Sequence, residues 1–194
     1  MTADGKRRPG NVALEVPLIH QGPNCGCGLA SVAMALNAAG ILTKLEDLEN
    51  HPLILPEMLK HWGIGPGRLG RVALACGAQA TLIDSSRKDV GEIFLRKGGR
   101  WIPRDPGRAD VERCVAAGRP VVACIPDKRE AFEGSRGGSH WVVVRGIEDG
   151  EFLIHDPAPW RRATRCLPGY WELWGCSLLV IEPPVVRSAL EGLS

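Results

Sequence analysis

The stretch CGLASVAMALNAA, from Cys27 to Ala39, constrains the fold of this chain more than any other. Small and apolar residues (Leu29, Ala30, Val32, Ala33, Ala35, Leu36) fill it without leaving a polar face, which predicts a helix buried on most sides. Gly40 supplies the residue that ends it. At 194 residues the chain is long enough for one domain with a genuine core. The expected organisation is a polar tail over residues 1–12, a single domain over 13–183 and a second tail over 184–194. Pro183-Pro184 marks the last boundary by ending the strand before it.

The chain beyond this helix reads as helices first and strands after. Leu53–His61 and Leu69–Cys76 predict two further helices, the second closed by Gly77. Residues 79–84 (QATLID) predict a strand, and Val90–Arg96 fits a helix or a strand equally. Asp110–Ala117 carries Val111, Cys114 and Val115 at helical spacing and stops at Gly118. Four strand candidates follow: PVVACIP, HWVVVRGI, EFLIHDP and CSLLVIE. Three of them are dense in β-branched residues and bounded by Gly, Pro or Asp. The expected class is α+β, an N-terminal helical part packed on a C-terminal antiparallel β-sheet.

Composition narrows the function classes. A formal charge of +2 is too small to argue for nucleic acid or an anionic membrane surface. The longest apolar runs are strand-sized, so no membrane span is expected. The basic N-terminus lacks the apolar stretch of a signal peptide. Seven scattered cysteines suit a reducing compartment, and a cytoplasmic location is the expectation.

Two of those cysteines stand in HQGPNCGCG, just ahead of the buried helix. A thiol at a helix N-terminus feels the positive end of the dipole and unpaired N–H groups, and both favour the nucleophilic thiolate. Cys27 occupies that place, between Gly26 and Gly28. A plain buried cysteine is the competing reading. Cys25, which also precedes a glycine, is a second candidate nucleophile. A metal site from His20, Cys25 and Cys27 lacks a fourth ligand at matching spacing, so no metal and no cofactor is called for.

Gln21 stands six residues before Cys27, where an amide can donate to an oxyanion beside the nucleophile's own N–H. His140 opens the strand HWVVV, where the scaffold fixes a base facing a cleft. Asp156 closes the next strand. A two-residue Asp-Gly turn at 149–150 would put His140 and Asp156 on opposite sheet faces. An odd-length loop or a bulge would make them diagonal neighbours on one face. Gly26, Gly138, Ser139 and Trp141 are the expected lining of a substrate cleft. Gly26 allows close approach, and Gly138 and Ser139 end a Gly/Ser-rich loop over residues 133–139; Trp141 and Trp160 read first as core and rim, with a cleft wall as the alternative. His155, His51 and His61 read as surface residues.

A thiolate, an imidazole, an orienting acid and an oxyanion donor are the group that thiol catalysis requires. With them the chain resembles papain-like cysteine peptidases. More closely, it resembles the bacteriocin-processing (double-glycine leader) peptidases and their free-standing relatives. The matching pattern is Gln21, Cys27-Gly28, Ala30-Ser31 and Met34. Later come Gly118-Arg119-Pro120-Val121-Val122, His140-Trp141-Val142-Val143-Val144 and Asp156-Pro157, so the likeness spans roughly residues 15–182. It implies Cys27 as nucleophile, His140 as general base and acid, Asp156 as orienter and Gln21 as oxyanion donor. It also implies a peptide or amide substrate, leader and precursor peptides included. Hydrolysis through an acyl-thioester leads the expectations. An acyltransferase resolving the same intermediate with an amine and a non-catalytic peptide-binding module are the alternatives.

Overall fold

In a computed structural model the chain is described over residues 10–85, 88–127, 138–160, 165–166 and 177–184. Helix α1 (Cys27–Ala38) forms where the apolar run predicts it, and every residue from Gly28 to Leu36 is buried. Its end is closed by Gly40 N–H to Asn37 O (3.0 Å) and Ile41 N–H to Leu36 O (2.9 Å), the paired bonds of a glycine-ended helix. Around it lie α2 (Leu45–Glu49), a π-helical turn (Met58–Trp62), α3 (Pro66–Ala75), α4 (Lys88–Arg96) and α5 (Arg108–Ala116). The strands are β1 (Val12–Ala13), β2 (Gln79–Ile83), β3 (Arg100–Ile102), β4 (Val121–Asp127), β5 (Gly138–Glu148), β6 (Glu151–His155), β7 (Arg165–Cys166) and β8 (Leu178–Glu182).

They build a sheet in the order β3-β2-β8-β4-β5-β6-β7, with β1 on β5. Its pairs are antiparallel except β2–β3, so the sheet is mixed and draws two strands from the first half of the chain. Alternation along the strands splits the core between two faces. On one face Val122, Cys124, Trp141, Val143, Leu179 and Ile181 pack with α1, α3 and Phe94 of α4. On the other, Val121, Ala123, Val142, Val144 and Val180 meet Val111 and Val115 of α5. The class is α+β, with the N-terminal helices on the sheet and one later helix behind it.

Several sequence expectations are corrected here. Leu53–His61 is not one helix: the chain turns at residues 51–53 and becomes helical only at Pro56. Pro56 fits a first helical turn but drives the residue before it out of helical geometry. Val90–Arg96 is helical. At the N-terminus, Val12 pairs with Ile147, and Asn11 Oδ1 accepts the Asp149 N–H at 3.0 Å. Asn11 and Val12 thus contribute to the fold instead of trailing from it.

Candidate active site

The β5–β6 hairpin decides whether the candidate base and acid can meet. Its turn has two residues, Asp149 and Gly150, both with positive φ (52° and 80°), since Glu148 pairs with Glu151. That turn alone would separate His140 from Asp156. The register shifts between Val144 and Gly146, however, leaving Arg145 as a bulge residue, and beyond it Val143 faces His155. Val142 therefore lies opposite Asp156, and His140 becomes its diagonal neighbour. The bulge is pinned by the residue after β1: Leu14 N–H donates to Arg145 O at 2.7 Å, and Arg145 Nη1 reaches Leu14 O at 3.5 Å.

His140 Nε2 consequently sits 2.7 Å from Asp156 Oδ1, with both residues 6% exposed. The same oxygen accepts Ala158 N–H at 2.9 Å, which fixes the carboxylate from the far side. Cys27, partly exposed at the first position of α1, interacts with the same imidazole. With Nε2 engaged by Asp156, Nδ1 is the ring nitrogen left for the thiol. Burial works against charge on His140, but the hydrogen bonds to Asp156 and Cys27 and the attraction of both outweigh it. The imidazole pKa rises from 6.5 to about 9, so His140 is cationic near neutral pH.

The loop before Cys27 is tied down at each step. Gln21 N–H donates to Pro157 O at 2.9 Å, joining the loop to the residue after Asp156. Gln21 Nε2 donates to Asn24 O at 2.8 Å; an amide NH2 has a second hydrogen to offer. Asn24 Nδ2 reaches Glu49 of α2 at 3.3 Å. A Cβ at Gly26 would lie 2.6 Å from Asn24 Oδ1, so a side chain there would displace the Asn24 amide; its φ of −85° is ordinary backbone. Gly28 is required because a Cβ would meet Leu69 Cδ1 at 2.9 Å and Trp141 Cδ1 at 3.1 Å.

Other candidates fall elsewhere. Cys25 turns toward the π-helical turn: its N–H donates to Leu59 O at 2.7 Å, and its sulfur lies 4.0 Å from Lys60 O. Trp141 is not a cleft wall. It is 4% exposed, packs in the core under Gly28 and donates its indole N–H to Ile64 O at 3.1 Å. Trp160 is 56% exposed, just beyond Asp156. Ser139 is exposed beside His140, Gly138 opens β5 opposite Asp127, and residues 133–137 of the expected loop lie outside the described residues. His155 is half-buried and bonds Val16 O at 3.0 Å, so it straps the N-terminal segment to β6 instead of lying free on the surface. Among the described residues no group of three or more His, Cys, Asp or Glu side chains could hold a metal, and no helix is long and apolar enough to cross a membrane.

Cys27 thus begins α1, and His140 and Asp156 form a buried pair on the β5–β6 hairpin. The profile of the Peptidase_C39-like family matches residues 13–176. The chain belongs to that family. Membership supports cysteine peptidase activity in general, and solved structures agree on the C39-like fold. One is a C39-like peptidase from Bacillus anthracis, with a TM-score of 0.63 and 19% identity over 88% of this chain and 96% of the other. Another is a double-glycine-motif protease from an AMS/PCAT transporter in complex with its leader peptide, with a TM-score of 0.54 and 18% identity over 89% and 97%. A third is the peptidase domain of Streptococcus ComA, a bifunctional ABC transporter of a quorum-sensing pathway, with a TM-score of 0.55 and 17% identity over 86% and 97%. No curated protein matches the chain. Asn24, which accepts from Gln21 Nε2 and reaches Glu49, was not singled out in the sequence, whereas Pro157 was legible in the Asp156-Pro157 pair. The signal available for Asn24 was its adjacency to Cys25.

Proposed function

We propose that the protein is a cysteine peptidase in which Cys27, His140 and Asp156 act as a triad on a peptide or amide bond. The observation that carries this reading is buried His140, 2.7 Å from Asp156 Oδ1, with its charged form favoured by both Asp156 and Cys27. In the proposed cycle Cys27, as thiolate, attacks the carbonyl carbon. The oxyanion is held by the Cys27 N–H and the free hydrogen of Gln21 Nε2. His140 passes its proton to the leaving amine, and the acyl-thioester forms. The neutral imidazole then takes a proton from water, which attacks the thioester and releases the acid. Asp156 keeps the ring in place and stabilises its charge throughout. The structural likeness to a protease bound to its leader peptide supports a peptide substrate.

The experiment is cleavage of a mixed synthetic peptide library followed by mass spectrometry. New termini in the presence of wild-type protein, absent with Cys27→Ala, support the reading. No cleavage by either, or equal cleavage by both, contradicts it.

A further inference from the structure

The face of the sheet that carries α5 is only partly covered: α5 lies over β4 and β5, while β8, β2 and β3 continue past it. A cavity of about 190 Å³ occupies that bay. Its floor is apolar, from Ile83, Ile102 and Val180, with Thr81 beside them. Its walls are charged: Arg100, Arg104, Arg113 and Arg119 against Asp110 and Glu182. Four guanidiniums against two carboxylates leave two positive charges uncompensated.

The guanidiniums differ in how they are held. Arg104 is locked by a two-pronged bridge to Asp110 (2.7 and 2.6 Å), and Arg119 by Glu182 at 2.7 Å. These contacts fix two forks at the rim. Arg113 is 70% exposed and 3.8 Å from Asp110. Arg100 has no hydrogen-bond or ion-pair partner among the described residues. Arg119 Nε is buried and likewise finds no acceptor among them. A buried N–H without an acceptor is costly, and an oxyanion in the bay would supply one.

We propose that this bay is a binding site for a phosphate-class dianion, separate from the thiol site. A phosphoryl group carries close to two negative charges near neutral pH and three acceptor oxygens, which matches the uncompensated charge and the multiple forks. A single carboxylate would leave one positive charge over. The volume is below the roughly 300 Å³ at which whole small-molecule sites begin, so the bay takes the anionic group and a short stem. Strand β4 gives the separation. Val121 pairs with Val180 at the bay and Ile125 with His140 at the other end, four residues or about 13 Å along the strand.

The test is calorimetric and NMR titration of the full chain with inorganic phosphate, O-phosphoserine and succinate, at ionic strength matched with chloride. Saturable phosphate binding is expected, weakened about tenfold or more by Arg100→Gln, a change that removes no internal partner. Glu182→Gln, which frees Arg119, is expected to tighten it. O-phosphoserine binding more tightly than phosphate would place a stem in the bay, and equal binding would assign free phosphate; both support the site. Absence of saturable binding, phosphate affinity unchanged in Arg100→Gln, or tighter binding of succinate than of either phosphate would overturn it.

Discussion

Replacing Asp156 by Asn removes a charge from the candidate site while keeping its shape. The asparagine Oδ1 still accepts the His140 Nε2–H and the Ala158 N–H, the two bonds that the carboxylate makes at 2.7 and 2.9 Å. What changes is the stabilisation of the imidazolium. The rise of the His140 pKa from 6.5 to about 9 corresponds to roughly 3 kcal/mol in favour of the charged ring, net of the burial that opposes it. That preference is shared between Asp156 and Cys27. Charge-assisted hydrogen bonds are about twice as strong as neutral ones, so the midpoint in Asp156→Asn should fall from about 9 to below about 8. Because the folded value exceeds the unfolded one, this contribution to stability is complete below about pH 6.5 and disappears as pH rises through about 9. The variant should therefore lose stability at neutral pH and differ little from wild type above pH of about 10. The assay is an NMR titration of the His140 ring protons, paired with urea unfolding across the same pH range. A midpoint that stays near 9 in the variant would refute the assignment of Asp156 as the source of the shift.

Two further outcomes follow from the same structure. Gly28→Ala forces a methyl into contact with Leu69 and Trp141, and should cost about 1–3 kcal/mol in urea unfolding and displace the start of α1. A variant as stable as wild type would show that the helix start has room to shift. Asp110 is held well below the usual carboxylate range by its hydrogen bonds to Arg104, with burial opposing and the Gly107 N–H assisting. Its contribution is present above about pH 4 and lost as pH falls through the depressed value. Asp110→Asn should thus be less stable than wild type at pH 7, by roughly 1–3 kcal/mol for a hydrogen bond to a charged group, with the gap closing in acid; a pH-independent gap would contradict this.

The sequence carried α1 and the β-rich half plainly, because both are long, apolar and bounded by Gly, Pro or Asp. It did not carry α2 or β3. Each is five residues or fewer, too short to show a period, and each is held by tertiary contacts such as buried Leu48 and the β2 pairing. The His140–Asp156 pair was legible only as a condition, an odd-length loop or a bulge. The bulge that meets the condition is held by Leu14, just after β1, whose N–H donates to Arg145 O from more than a hundred residues away. Trp141 was misplaced because alternation assigns a side chain to one face or the other without saying which face is covered. Here that face lies under α1, and Gly28 makes the room.

The central claim is that the reactive thiol is Cys27 and that Cys25 only anchors the loop to the π-helical turn. Alkylation with iodoacetamide, resolved by peptide mass spectrometry in wild type, Cys25→Ala and Cys27→Ala, tests it most directly. The account predicts fast modification at Cys27 in wild type and in Cys25→Ala, slowed by His140→Ala, and only slow background labelling in Cys27→Ala. Fast labelling that survives the loss of Cys27, or that disappears with Cys25, would contradict it.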